Sequence, residues 1–110
     1  MVKDILFSAG FIENKTFKEC RFLKPPKGTY AVYFDSCHAY GADDCNLLKG
    51  HEYRIELYSD VPDPGAEKRI EDSLDSHRFS YFKEERYWLE DESLYQVIYE
   101  FDYIEKKRGE

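Results

Sequence analysis

The chain has 110 residues, 42% of them apolar and 17% aromatic, enough to close one core and too many for a disordered segment. No apolar run approaches the roughly 18 residues of a membrane-spanning helix. The net charge of −7 argues against sequence-independent nucleic-acid binding, which needs clustered cations facing phosphate.

Residues 2–9 read as a short helix with Val2, Ile5, Leu6 and Ala9 on one face, stopped by Gly10. Asp4 interrupts the apolar stretch there, so this segment does not read as a signal peptide, and a protein assembled inside a cell is expected. Residues 16–23 are expected to form a strand or an extended arm. Pro25, Pro26 and Gly28 mark a loop. A strand is predicted over 29–36, with Tyr30, Val32 and Phe34 on one face and Ala31, Tyr33 and Asp35 on the other.

Gly41, Asp43, Asp44, Asn46 and Gly50 make 39–50 a long loop or a ragged hairpin. The next strand, 52–59, alternates Tyr53, Ile55 and Leu57 with Arg54, Glu56 and Tyr58. Asp63 then suits a helix N-cap, and Pro64 the first helical position, where its missing N–H costs nothing. Ala66, Ile70 and Leu74 give that helix an apolar stripe, and Ser76 and His77 end it without a glycine. Residues 79–88 read as an aromatic strand kinked by Lys83, Glu84, Glu85 and Arg86. After the acidic turn at Glu90, Asp91 and Glu92, residues 94–103 form the clearest strand, with Tyr95, Val97, Tyr99, Phe101 and Tyr103 on one face.

These elements predict a single α+β domain with a mostly antiparallel sheet of about four strands and two helices on one face. The helix between 59 and 79 permits one parallel pairing. The buried face is expected to hold Tyr53, Ile55, Leu57, Val97, Tyr99 and Phe101, beneath Ile70 and Leu74. In this division 1–23 is a helix and arm, 24–104 the core, and 105–110 a frayed tail.

Charge is uneven along the chain. Residues 1–50 sum to +1 and residues 51–110 to −8. Lys15, Lys18, Arg21, Lys24 and Lys27 face only Glu13 and Glu19 in their own segment. Such asymmetry bears on association more than on fold.

Catalytic chemistry finds little footing. Cys37, His38, Cys45 and His51 lack the two-residue cysteine knuckle of a structural zinc site. Cys37 and His38 are neighbours on a strand and point to opposite faces, which separates a thiol from its base. The carboxylate runs Asp43/Asp44, Glu84/Glu85 and 90–92 sit in turns, where they are solvated. No phosphate-binding glycine loop or nucleophile elbow occurs. The expectation is no enzyme, no cofactor and no metal, with three buried, inert thiols. Tyr33, Tyr58, Trp88 and Tyr95 suit either a small core or an interface, since their rings bury area and keep a polar handle.

Several segments carry a resemblance. They are Pro25-Pro26, Tyr30 to Tyr33 (Tyr-Ala-Val-Tyr), Arg54 to Asp60 (Arg-Ile-Glu-Leu-Tyr-Ser-Asp), Asp63-Pro64 with its acidic helix, and Glu92 to Phe101 (Glu-Ser-Leu-Tyr-Gln-Val-Ile-Tyr-Glu-Phe). Over roughly 24–103 the chain resembles small prophage proteins of the tail-completion, head–tail joining and tail-terminator group. The unusual points are the helix end at Ser76-His77-Arg78 and the basic, Phe-rich stretch 11–23. The resemblance implies a compact α+β subunit without catalytic residues, forming a ring, commonly a hexamer, at the end of the tail tube or beneath the portal. Its partners would be copies of itself and tail-tube or connector proteins. DNA would pass through without specific binding, no membrane would be involved, and the ring would belong to a virion assembled in the host cytoplasm. Expected interface residues are Lys18 and Lys24 on the basic segment, with Asp43, Asp44, Leu47, Leu48 and Trp88. The rival reading is a small acidic inhibitor that binds a host protein.

Overall fold

The computed structural model describes residues 1–40 and 46–108. Its elements in chain order are α1 (Val2–Ser8), β1 (Phe17–Glu19), β2 (Tyr30–Tyr40), β3 (Asn46–Ser59), α2 (Pro64–Ser76), β4 (Phe82–Lys83), β5 (Tyr87–Leu89) and β6 (Leu94–Arg108). The sheet has six strands in the order β1-β2-β3-β6-β4, with β5 also on β6. The α+β class is as expected, but the strand count is higher than the four predicted. The two extra strands come from places where the sequence is broken. Residues 16–23 supply a three-residue strand, and 79–88 splits into two pieces around Glu84, Glu85 and Arg86.

The parallel pair is not where the crossover helix suggested. It joins β1 to β2, while β2–β3 and β3–β6 are antiparallel. Helix α2 links β3 to β4, which lies beyond β6, so β6 separates the strands flanking the helix.

One face of the central strands is the core. Ala31 and Tyr33, then Tyr53, Ile55 and Leu57, then Val97, Tyr99 and Phe101 are all buried there. Val2, Ile5, Leu6 and Ala9 of the first helical segment and Ala66, Ile70 and Leu74 of α2 cover them. The two helices are also tied polar group to polar group. Ser73 Oγ donates to the Ile5 carbonyl at 2.8 Å, and Arg69 Nε to the Ala9 carbonyl at 3.0 Å, which satisfies two acceptors at the end of α1.

Helix ends follow local chemistry. Asp63 accepts the Ala66 N–H at 3.0 Å and the Thr29 hydroxyl at 2.6 Å. The Thr29 hydroxyl first, and then the Ala66 amide, hold its carboxyl below the ordinary value of 3.8. Helix α1 closes at Gly10, with φ at 91°. Helix α2 closes the same way on a residue that is not glycine. Arg78 has φ at 62°, and the Phe79 N–H reaches the Leu74 carbonyl at 2.9 Å.

The long strands outrun their predicted ends. Of the stretch 39–50, Ala39 and Tyr40 end β2 and residues 46–50 begin the antiparallel β3, while 41–45 lie outside the described residues. Strand β6 runs through to Arg108, past the predicted end at residue 103 and into the stretch expected to fray. The upper parts of β2, β3 and β6 therefore form a three-stranded arm beyond the helices, in a molecule 51 Å long and 28 Å by 22 Å across.

Candidate assembly surface

The strand order turns the linear charge asymmetry into a spatial one. Strand β1 is one edge of the sheet, and β4 and β5 share the other. Lys18 lies on β1, half-buried, and Lys15, Arg21, Lys24 and Lys27 are exposed in the flanking turns. Glu84 and Glu85 sit between β4 and β5, and Glu90 and Asp91 follow β5, all exposed. Among the described residues none of these nine charges lies in an ion pair. Each edge also carries exposed apolar area. The basic edge has Ile12 at 56% and Leu23 at 80%, and the acidic edge has Tyr87 at 65% and Trp88 at 43%. Apolar patches ringed by charge are the composition of protein interfaces.

The acidic edge is held firmly in place. Glu67, buried on α2, takes Lys83 at 3.0 Å and Arg86 at 2.8 Å. Lys83 also reaches Glu71 at 2.7 Å, and the Tyr99 hydroxyl donates to Glu71 at 2.7 Å. Burial pushes the Glu71 carboxyl up, but the bonds from Lys83 and Tyr99 outweigh it, so its pKa falls below 4.5. Burial pushes the Tyr99 phenol well above 10, with Glu71 adding to the shift, so it stays a donor. Trp88 is braced against Tyr95, with ring centroids 4.8 Å apart.

A second polar cluster lies where the helical cover ends. His51 on β3 hydrogen-bonds Asp35 on β2 at 2.9 Å and Glu105 on β6 at 3.2 Å, and stacks on Tyr53 at 5.2 Å. The bond to Asp35 raises the imidazole pKa above 6.5. Desolvation opposes it, and Glu105 adds to it. One side chain thus ties together all three strands of the arm.

The other face of the sheet carries no helix. Phe22 packs edge-on over Tyr30 at 5.5 Å, and Tyr30 stacks on Tyr58 at 5.3 Å. Higher up, Glu52, Glu100 and Asp102 surround Arg54, which lies over the Phe34 ring at 4.6 Å. This bare upper face is mainly acidic.

The structure brings together only part of the predicted interface. Lys18 and Lys24 belong to one edge and Trp88 to the opposite one. Leu47 and Leu48 lie on β3, opposite Lys107 and Lys106 of β6, so they belong to a strand and not a loop. Asp43, Asp44 and Cys45 lie outside the described residues. Cys20 and Cys37 are exposed, which corrects the expectation of buried thiols. Cys20 follows β1, and Cys37 lies on β2 past the last residue that β1 pairs. Among the described residues no group of three or more His, Cys, Asp or Glu side chains could hold a metal. Sequence reasoning missed the His51 cluster and the Glu67 clamp, because each is assembled from residues far apart in the chain. Tyr33 proved buried, while Tyr58 and Tyr95 are half-buried.

No family model matches the chain, and no curated protein matches it in sequence. Its fold is similar to that of a chain in the virion of a native gene transfer agent (GTA) particle. The TM-score is 0.54, with 11% sequence identity over 96% of this chain and 84% of that one. At that identity the likeness is one of fold.

Proposed function

We propose that this chain is a structural subunit of a phage-like particle. It forms a ring with copies of itself at the head–tail joint or the tail terminus, and works without catalysis or cofactor. The observation that carries the reading is the pair of opposite sheet edges, one basic and one acidic, each with unpaired charge around exposed apolar side chains. Two different faces that fit each other define a head-to-tail contact, and such a contact gives a ring when the rotation closes. The fold likeness to a chain of a GTA virion and the resemblance to tail-completion proteins support the same setting.

In this reading the bare sheet face, with Glu52, Glu100 and Asp102, lines the channel. Acidic walls repel phosphate, so DNA slides through without being held. The net charge of −7 keeps free subunits apart until tube or connector proteins seed the ring. Assembly would take place in the host cytoplasm, and the finished ring would stay in the virion.

The test is to mix the protein with purified tail tubes and image them. A ring at one tube end is expected. Tubes with bare ends at saturating protein would refute the placement.

A further inference from the structure

We propose that the arm is completed by a second copy, through parallel pairing of the upper part of β6 with the upper part of β2 of the next subunit. This rests on the ring reading above and names the contact that closes it.

Among the described residues no strand covers either edge of the arm. Strand β1 covers β2 only at residues 31–33, and the bond from the Cys20 N–H to the Tyr33 carbonyl shows that odd residues of β2 face that side. Asp35 and Cys37 therefore turn their backbone groups to an edge that no strand among the described residues occupies. On the other side, β5 and β4 cover β6 only up to Glu100. The bond from the Glu84 N–H to the Ile98 carbonyl shows that even residues of β6 face outward. Asp102 and Ile104 thus present the second open edge. Neither edge carries a proline to block pairing.

The geometry points to another copy as the occupant. Both β2 and β6 run antiparallel to β3, so they are parallel to each other. A rotation axis along the strands preserves that direction and brings β6 of one copy beside β2 of the next. Phe82 and Ile104, 66% and 62% exposed, flank the β6 edge and would be covered by the incoming strand. Below the arm, the same approach sets the acidic β4–β5 edge against the neighbour's basic β1 edge. The two contacts are continuous. Because β1 and β4 widen only the lower half, by about two strand spacings or roughly 10 Å, the ring narrows towards the arms.

Disulfide trapping tests this. Cys37 and Tyr103 lie on the same face of the sheet, and Ile104 on the opposite one. In a Cys20→Ser/Cys45→Ser background that keeps Cys37, Tyr103→Cys or Glu105→Cys is added, and the protein is seeded with purified tail tubes and then oxidised with glutathione disulfide. A ladder of linked subunits is expected from at least one of these variants, and none from Ile104→Cys, whose thiol points away. Thermal melts of each variant confirm that it is folded, and native mass spectrometry before oxidation reports rings. Rings without the ladder overturn the strand pairing alone. Dimers as the only product, from Cys37 to Cys37 or from 103 to 103, overturn it in favour of a twofold contact. Folded variants with neither rings nor links overturn both the pairing and the ring.

Discussion

The lower and upper halves of β2, β3 and β6 are the same three strands under two regimes. Below, rows such as Ala31–Leu57–Val97 and Tyr33–Ile55–Tyr99 are buried under two helices. Above, in the row Cys37–His51–Tyr103, Cys37 is exposed, His51 is half-buried, and Tyr103 meets Phe79 beyond the end of α2. The lower half is held by apolar burial, and the arm by its backbone ladder and the His51 cluster. Strand length here is not set by the core. A sheet that continues past its cover leaves edges with unpaired backbone groups.

The largest expected difference between the halves is in the cost of truncation. Phe101→Ala or Leu74→Ala should cost about 2–5 kcal/mol in denaturant unfolding, because each removes buried volume beneath the helices. The exposed Ile104→Ala should leave unfolding almost unchanged. Equal costs would mean that the arm has a core of its own.

Next in size is the clamp that fixes the acidic edge. Glu67→Ala leaves Lys83 and Arg86 without their shared partner, and should lower stability by about 1–3 kcal/mol. The amides of β4 and β5 should then exchange faster than those of β3. Uniform loosening of the whole sheet would show that Glu67 supports the core and not that edge.

A smaller gain is expected at the end of α2. Arg78 holds a left-handed conformation that costs a non-glycine residue about 1 kcal/mol or more. Glycine there would recover part of that, less its own greater loss of freedom on folding. Arg78→Gly should raise the melting temperature of the isolated subunit slightly, and a drop would assign the arginine side chain a stabilising contact.

The subtlest effect is the arm's response to pH. The folded state raises the His51 pKa above 6.5, mainly through Asp35. The stabilisation is therefore complete below about 6.5 and fades as pH rises through the folded value. Upper β6 amides, corrected for intrinsic exchange, should be better protected at pH 6 than at pH 8. His51→Gln should flatten that difference, while the lower half shows none in either protein.

The same contrast explains what was legible in the sequence. Asp63-Pro64 announced α2, and the alternations through Tyr53–Leu57 and Val97–Phe101 gave the buried face correctly, because burial imposes a period on residue type. Above the helices nothing imposes it. Gly41, Asp43, Asp44, Asn46 and Gly50 look like loop chemistry, so the upper parts of β2 and β3 were not visible as strand. The segment around β1 was obscure because a three-residue parallel strand leaves almost no pattern. For the proposed assembly surface, the basic stretch and Trp88 were candidates in the sequence alone. Their placement on opposite edges depends on strand order, which single segments do not encode.

The most direct test of head-to-tail assembly is a charge swap read by native mass spectrometry of tail-seeded protein. Lys18→Glu/Lys24→Glu should abolish ring formation while the subunit stays folded, and so should Glu84→Lys/Glu85→Lys. All four changes in one chain reverse both edges together and should restore the ring. If the two partial variants assemble as well as the wild type, or the fourfold variant fails while remaining folded, the opposite edges are not the contact and the account is wrong at its centre.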